Sequence, residues 1–277
     1  MPMVYLRDMF NNKKTEVMEH LKIKDGVLLH CDQDVEGVVV IPDDVCAIKS
    51  CAFEECTKLT TVVMPDFILT IGECAFADCS SLTSVVFGSH VGSIRDFAFF
   101  DCTSLKHIYI PASVIHIGEG AFGGCDSLES IVVDAGNKVY DSREGCNAIV
   151  NTFYDALEVG CKASTIPSTV KLIAEGAFDT SRTLTSIEIP PHVTKIGRNA
   201  FRETGLKAVT IPSSVVYIGE KAFDNCPELS SITVHPENMR YDSREGCDAI
   251  IETASDTAIA VCCNSIIPAD VQIRCLS

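Results

Sequence analysis

Two nearly identical segments concentrate the residue types that could carry chemistry. YDSREGCNAI spans residues 140–149 and YDSREGCDAI spans residues 241–250, so nine of ten positions agree at a separation of 101 residues. Each copy holds a cysteine, an arginine and at least two carboxylates, which would suit a thiolate nucleophile or a ligand site. A nucleophilic cysteine also needs a base, usually a histidine, and neither copy contains one. Cys146 and Cys247 are therefore expected to be structural, with twin ligand sites as the alternative.

The other residues of this segment suit a turn. Asp141, Arg143 and Glu144 could form a local ion pair and cap the turn. Gly145 is expected to adopt a backbone conformation that other residues avoid. Identical structural demands at two equivalent points of the fold explain the duplication directly.

Metal and cofactor chemistry is not indicated elsewhere in the chain. The 15 cysteines include no C-x-x-C pair, so the spacing of zinc ribbons is absent. The seven histidines are dispersed, and none falls in H-E-x-x-H. The D-x-D of CDQDVEG, Asp32 and Asp34, lacks the glutamate and spacing of an EF-hand and is interpreted as a solvated turn. We expect no metal site and no cofactor.

Charge and hydropathy restrict the partners and the location. The net charge of −16 repels phosphate backbones, so we expect no nucleic acid partner; solubility explains the scattered charge, with a basic partner as the alternative. No apolar run approaches the roughly 18 residues of a membrane span. The first residues lack the pattern of a secretory signal, which predicts a cytoplasmic protein if Met1 is the native start. If an export signal has been removed, the expected location is the cell surface or outside the cell.

The elements that must position these residues are repeats. Seven segments follow the pattern I-P-x-x-V-x-x-I-G-x-x-A-F-x-x-C-x-x-L-x-x-I-x; six are 23 residues long and the one that begins at Ile189 is one residue shorter. A unit this short cannot bury its own apolar side chains, so the copies must stack into one continuous core. The end of each unit alternates apolar and polar residues and predicts a strand. V-x-x-I predicts a second short extended segment, and A-F-x-x-C predicts one turn of α- or 3₁₀-helix.

The I-P, I-G-x-x-A-F and C-x-x-L elements of this pattern resemble the BspA-like class of leucine-rich repeats. The resemblance extends from about Gly26 to the end of the chain. It implies a curved solenoid, and known members are often surface proteins implicated in adhesion. The predicted fold is a mostly β, α/β solenoid: a right-handed leucine-rich-repeat superhelix with a parallel sheet on one face and short helical or 3₁₀ turns.

The repeats define the predicted domain boundaries. Residues 1–25 form an N-terminal segment, and residues 26–277 form the solenoid. Within it, regular coils occupy 41–132 and 166–233, long rungs of 33 residues occupy 133–165 and 234–266, and an incomplete last coil occupies 267–277. Each long rung ends in two apolar stretches joined by a polar turn, which predicts a β-hairpin. GVLLHCDQDVEGVVVIP looks like the same device at the start of the stack.

The ends of a stack need covering because they expose apolar edges and unpaired strands. Thr15–Ile23 places Val17, Met18 and Leu21 on one helical face, which predicts a capping helix. The last coil begins at Ile267 without reaching I-G-x-x-A-F, which favours a weak end-to-end self-association of the chain.

Stacking places like residues over like, which predicts a row of phenylalanines and a column of cysteines inside the solenoid. Ser181 and Thr204 replace cysteine in two coils, so the column is expected to serve packing and hydrogen bonding to turn backbone, with free thiols because parallel Cβ vectors disfavour a disulfide. The predicted row is Phe53, Phe76, Phe99, Phe122, Phe178, Phe201 and Phe223, and the column is Cys56, Cys79, Cys102, Cys125 and Cys226.

Solenoids usually act as surfaces, so the strand face is the predicted binding site. Most of this face is small and uncharged; His107, Tyr109 and Glu188 stand out, and tyrosine is enriched at interface hot spots. The leading hypothesis is a non-enzymatic scaffold that binds a protein, with a role in adhesion or host interaction. A hydrolase with an unrecognised site and a polysaccharide-binding surface protein are the alternatives, although the chain has no tryptophan.

Overall fold

Short strands separated by tight turns make up almost all of the regular structure in residues 18–273, the part of the chain that the computed structural model describes. The chain divides into two units, residues 1–141 and 142–277, and each is a mostly β solenoid. Helical structure in the described range consists of single 3₁₀ turns at Met18–His20, Arg143–Gly145 and Arg244–Gly246. No helix in residues 18–273 has the length and hydropathy that a membrane crossing requires.

Every regular coil of the first unit contributes one long and one short strand. The strands are β1 (Leu21–Lys24), β2 (Val27–Cys31), β3 (Gly37–Val40), β4 (Ala47–Ile48), β5 (Leu59–Val63), β6 (Thr70–Ile71), β7 (Ser84–Val86), β8 (Ser93–Ile94), β9 (His107–Ile110), β10 (His116–Ile117), β11 (Ser130–Val133) and β12 (Tyr140–Asp141).

Two parallel ladders hold the first unit together. The long strands pair in the order β3-β5-β7 and β9-β11, and the V-x-x-I strands pair in the order β2-β4-β6-β8-β10. Val62 lies opposite Val85, and Ile71 lies opposite Ile94. Both pairs are 23 residues apart, so the strand register equals the repeat length and the apolar position of each coil always faces the core.

The second unit follows this plan except in the coil of residues 166–188, which has the short strand but not the long strand that its sequence predicted. Its strands are β13 (Ile149–Asn151), β14 (Ala156–Val159), β15 (Leu172–Ile173), β16 (Lys195–Ile196), β17 (Ala208–Ile211), β18 (Tyr217–Ile218), β19 (Ser231–Val234), β20 (Tyr241–Asp242), β21 (Ala249–Glu252), β22 (Thr257–Val261) and β23 (Gln272–Ile273). The short strands pair in parallel in the order β14-β15-β16-β18, and β17 pairs with β19.

Antiparallel hairpins start each ladder of short strands. β13 pairs with β14 and β21 pairs with β22, in the positions that the sequence pattern predicted for the long rungs. The second strand of each hairpin then pairs in parallel with the next coil, β14 with β15 and β22 with β23. The long rungs are therefore the points where a ladder of short strands begins.

The N-terminal end differs from the sequence prediction. The hairpin there consists of β1 and β2, with Asp25 and Gly26 at its tip, and GVVV forms β3 in the other ladder. The capping helix predicted for Thr15–Ile23 is wrong over its second half: Met18–His20 is a single 3₁₀ turn and Leu21–Ile23 belongs to β1. The alternation of LKIK, with Leu21 buried and Lys22 exposed, favours a strand over the helical spacing. Thr15–Val17 lie outside the described residues.

The A-F-x-x-C segments are hydrogen-bonded turns and not helices. The residue before the alanine and the second residue after the phenylalanine both have positive φ, as at Cys74 (52°) and Asp78 (59°). Because left- and right-handed backbone conformations alternate here, every second N–H points towards the next coil. Phe53 N–H donates to the Ala75 carbonyl at 2.7 Å, and Phe76 N–H donates to the Ala98 carbonyl at 2.8 Å. The turns thus form a third line of backbone hydrogen bonds between coils.

The pattern I-G-x-x-A-F needs glycine because the backbone of the preceding coil lies too close to leave room for a side chain. A Cβ on Gly72 would lie 2.4 Å from the Ser50 nitrogen of the preceding coil, and one on Gly219 would lie 2.4 Å from the Arg198 nitrogen. The neighbouring backbone is therefore the reason for glycine at these two positions.

The phenylalanine side chains stack face to face inside each unit. Phe76 and Phe99 have ring centroids 5.0 Å apart with an angle of 1° between the rings, and Phe201 and Phe223 are 5.3 Å apart. The rings are almost completely buried. Their spacing is close to the 4.7–4.9 Å between neighbouring strands, so the coil repeat itself sets the stacking.

Candidate functional site

The repeated segment is anchored by a buried asparagine and a buried tyrosine. In the first copy the Asn137 side-chain amide donates to the Pro111 and Val114 carbonyls, both at 2.9 Å, and its oxygen accepts the N–H groups of Val139 and Tyr140. The Asn137 side chain thus ties the long rung to the coil before it, with all of its main hydrogen-bonding capacity used.

The second copy makes the same four hydrogen bonds. Asn238 donates to the Pro212 and Val215 carbonyls at 2.8 and 3.0 Å and accepts from Arg240 and Tyr241. The tyrosine of each copy then accepts an N–H from a short strand: Ile117 N–H donates to the Tyr140 hydroxyl at 3.2 Å, and Ile218 N–H to that of Tyr241 at 3.0 Å. These contacts are structural.

Ion pairs join the arginine of each copy to the turn of the hairpin that follows. Arg143 Nη1 lies 3.1 Å from Asp155, and Arg244 Nη1 lies 2.9 Å from Asp256. Arg244 also makes the local pair within the motif, 2.8 Å from Asp242. The predicted local ion pair is thus present in the second copy, and the hairpin turn supplies a partner that the sequence pattern did not indicate.

The turn around the motif glycine has the unusual backbone that we expected. Gly145 has φ +64°, but the preceding Glu144 is also in the left-handed region at 57°. This conformation directs the Glu144 carboxylate to Ser168, whose N–H and hydroxyl both donate to it, at 3.2 and 3.1 Å. The acid of the first copy therefore caps the start of the next coil.

The cysteines of the two copies are buried thiols. Cys146 and Cys247 are 0% and 1% exposed, and each thiol donates to a backbone carbonyl two residues ahead. Burial raises the pKa of the Cys247 thiol above its ordinary value. A protonated, enclosed thiol is neither a nucleophile nor a metal ligand.

The cysteine column makes one repeated contact. Four of the five thiols donate to the carbonyl of the phenylalanine in the preceding coil, as Cys79 does to Phe53 at 3.1 Å and Cys102 to Phe76 at 3.1 Å; the first, Cys56, donates to the Asp32 carbonyl at 3.8 Å. Burial raises the pKa of both thiols. Thr204, which replaces cysteine in one coil, donates instead to the phenylalanine carbonyl of its own coil, that of Phe201 at 2.9 Å. All five column cysteines are free thiols: Cys56, Cys79, Cys102, Cys125 and Cys226.

The predicted binding residues His107 and Tyr109 lie on β9 in the first unit. Both side chains are exposed and point to the same face of the strand. The Tyr109 hydroxyl donates to the Asp134 carboxylate, which raises the pKa of Tyr109 and lowers that of Asp134. The ring remains 49% exposed, so it could still contact a partner.

Glu188, the third predicted residue, lies in the second unit beside a cleft of about 1040 Å³. The walls come from Ala208 and Thr210 of β17, from the equivalent position Ser186 of the coil before it, and from the I-P corners that follow. The structure thus places Glu188 in a concave surface, while His107 and Tyr109 belong to the other unit.

The cleft has a negative character. Glu144 and Glu188 supply carboxylates, and among the described residues that line it there is no lysine or arginine. The two histidines there bond to backbone: His192 Nε2 donates to the Pro167 carbonyl at 3.2 Å, and His235 Nδ1 accepts the Glu237 N–H at 3.2 Å. With no lysine or arginine among the described lining residues, the two carboxylates give the cleft its negative charge.

The comparisons with known proteins agree with this architecture. The family model for the BspA type leucine-rich repeat region matches residues 22–144 and 150–247 with six copies. This chain belongs to the BspA-type leucine-rich repeat family. Among curated proteins none matches it.

This chain is similar in fold to solved structures of other leucine-rich repeat proteins. The pneumococcal vaccine antigen PcpA is 20% identical with a TM-score of 0.57, over 73% of this chain and 63% of that one. This chain therefore spans less than two thirds of that structure. A leucine-rich repeat protein from Eubacterium ventriosum is 24% identical with a TM-score of 0.53, over 77% of this chain and 68% of that one.

Sequence reasoning missed two groups of residues in this repeat protein. Asn137 and Asn238 lie three residues before the motif tyrosine, and aligning the two copies over N-x-x-Y-D-S-R-E-G-C would have revealed them. His192, His235 and Ser168 line the cleft, but they come from corners of different coils. The sequence pattern does not indicate that these corners share one surface.

Proposed function

We propose that this chain is a non-enzymatic scaffold that binds a protein partner through the cleft of its second unit. The observation that carries the proposal is the cleft itself: it is concave, about 1040 Å³ in volume, and its strand wall is the surface that solenoids commonly use for binding. Its volume lies at the upper end of the roughly 300–1,000 Å³ typical of small-molecule sites, which favours a segment of polypeptide as the occupant.

The electrostatics of the cleft indicate the chemistry of that segment. Two carboxylates and several hydroxyl groups would attract lysine or arginine side chains. The net charge of −16 adds a long-range field of the same sign. We therefore propose an extended, basic segment as the ligand. A cell-surface or host partner fits the adhesion role that the family resemblance implies, and would require export of this chain.

The alternatives find less support in the geometry. A hydrolase would need a nucleophile hydrogen-bonded to a base. In the cleft, His192 and His235 bond to backbone groups, and the Ser168 hydroxyl donates to Glu144. A sugar-binding surface would offer exposed aromatic rings, and the described residues that line this cleft include no phenylalanine or tyrosine.

The test selects ligands without assuming a partner. The folded chain is immobilised and panned with a phage-displayed library of random linear peptides, and the affinities of the enriched peptides are measured in solution. We expect enrichment of lysine and arginine, binding that weakens as salt increases, and a loss of about tenfold or more in Glu188→Lys because like charges repel.

The matched control is Glu228→Lys, which makes the same charge change at an exposed position of the second unit outside the cleft. Enrichment of acidic or aromatic peptides, or equal losses in the two variants, would contradict the proposal. Turnover of generic ester or peptide substrates that disappears in Ser168→Ala would favour the hydrolase instead.

A further inference from the structure

Three metal-ligating groups meet at the N-terminal end of the first unit. His20 ends the turn Met18–His20, and Asp32 and Asp34 follow β2. His20 Nδ1 lies 3.6 Å from Asp32 Oδ2 and 3.4 Å from Asp34 Oδ1, and one donor atom from each residue falls within 4.8 Å of the others. These groups are remote in sequence from the cleft and take no part in the binding function proposed above.

The separations match shared coordination better than hydrogen bonding. An N–H···O bond requires about 2.7–3.2 Å, and both contacts are longer. Two ligands of a tetrahedral zinc ion with bonds near 2.1 Å lie about 3.4 Å apart. His20 Nδ1 is also shielded from solvent and makes no hydrogen bond within the described residues. It lies within ion-pair distance of both carboxylates but forms a hydrogen bond with neither.

The backbone holds the three groups in place. Asp32 N–H donates to the His20 carbonyl at 2.9 Å, which joins the two segments that carry the ligands. Val35 N–H closes the turn by donating to the Asp32 carbonyl at 3.1 Å, and the Val35 side chain is 2% exposed. A site fixed by backbone bonds and a buried side chain loses little conformational entropy on binding.

The charge of the site suits a divalent cation. The two carboxylates carry a charge of about −2, and the net charge of −16 on the chain adds a long-range field of the same sign. Imidazole nitrogen and carboxylate oxygen are donors that zinc and neighbouring transition metals accept, while three protein ligands leave a coordination position for water.

We propose that His20, Asp32 and Asp34 bind a divalent transition-metal ion of the zinc type. The ion ties the N-terminal turn to the loop after β2, where the stack of coils begins and an end needs stabilisation. The D-x-D that the sequence alone presented as a solvated turn then supplies two of the three ligands, and the histidine comes from the segment for which a capping helix was predicted.

Cobalt(II) is the probe, because its absorption reports both ligand type and geometry. The full-length reduced chain is titrated with Co²⁺ alone. We expect one ion per chain with the strong visible bands of a tetrahedral nitrogen and oxygen site, without the near-ultraviolet charge-transfer band of thiolates. Zinc should then displace the cobalt and erase the bands.

The variants decide the assignment. His20→Ala should abolish the visible bands and Asp34→Asn should weaken cobalt binding by about tenfold or more, with circular dichroism unchanged in both. His30→Ala, which removes an exposed histidine of β2, is the matched control and should bind like the unaltered chain. Bands that persist in His20→Ala, or that appear only with the thiolate charge-transfer band, would overturn the proposal.

Discussion

The two long rungs make the same internal contacts but are followed by different surroundings. Asn137 and Asn238 form equivalent sets of hydrogen bonds, and the Asp155 and Asp256 ion pairs are equivalent too. At the first rung and the coil after it, Cys161 and Ile166 are 3% and 8% exposed; the equivalent Cys262 and Ile267 at the second rung are only partly buried. The motif therefore determines the local network, and the neighbouring coil determines burial.

This comparison explains why a chemically rich segment occurs twice. In both copies the arginine pairs with the hairpin turn, the cysteine is enclosed, and the tyrosine accepts a strand N–H. Two active sites would have the same reactive groups in common. These two segments instead have in common the hydrogen bonds and ion pairs that hold them in place. Duplication here follows from two places where a ladder of short strands must begin.

The largest effect is expected from removing the anchor amide. Asn137→Ala and Asn238→Ala should each lower the free energy of unfolding by about 3 kcal/mol, because four hydrogen bonds are lost and buried carbonyls remain without donors. Equilibrium urea unfolding measures both variants. Similar losses in the two variants would support the structural equivalence of the rungs, and a loss in only one variant would contradict it.

A second prediction uses a position at which the rungs differ. Gly160 in the first rung corresponds to Val261 in the second, and a Cβ at Gly160 would lie 2.0 Å from the ring of Phe178. Since that ring is packed in the phenylalanine row, Gly160→Ala should cost about 2 kcal/mol.

Val261 is 43% exposed, so the matched change Val261→Ala should cost less than about 1 kcal/mol. Thermal unfolding of the two variants compares the sites directly. Equal losses of stability would mean that the first rung is not buried more tightly by the coil after it than the second rung is.

The buried thiol of the second rung predicts a loss of stability in alkali. Burial raises the pKa of Cys247 above its ordinary value of 9.0, so its contribution is complete below that pH. It is lost as the pH rises through the higher folded-state pKa, because the unfolded chain ionises first. Unfolding free energies measured from about pH 8 to pH 11 should fall less steeply in Cys247→Ala. An unchanged slope would contradict an enclosed thiol.

The smallest effect is expected from the ion pairs at the hairpin turns. Arg143→Gln and Arg244→Gln remove contacts that are partly exposed, and such pairs contribute little. The melting temperature should fall slightly in low salt and the difference should shrink at high ionic strength, where exposed charges are screened. A large or salt-independent loss would show that these arginines have another role.

The sequence predicted the repeat, the stacked coils and the hairpins of the long rungs because these depend on periodic apolar residues. It did not predict the left-handed turns at positions such as Cys74 and Phe97, since residues that can occupy that conformation are not limited to glycine. The strand at Leu21–Lys24 was missed because a short apolar pattern fits helix and strand alike.

The candidate site was less accessible to sequence reasoning. Glu188 was identified because it is a charged residue on a predicted strand face. His192 and His235 come from corners of different coils, and only the stacking brings them to one cleft. His20 was missed for a related reason, because its two aspartate neighbours belong to another segment of the chain.

Both copies of the repeated segment make the same structural contacts. Tyr140→Phe and Tyr241→Phe remove only the hydroxyls that accept the Ile117 and Ile218 N–H groups. Amide hydrogen exchange of those two groups is the direct measurement. Faster exchange at Ile117 in Tyr140→Phe and, to a similar extent, at Ile218 in Tyr241→Phe is the predicted result; unchanged protection of either amide would contradict it.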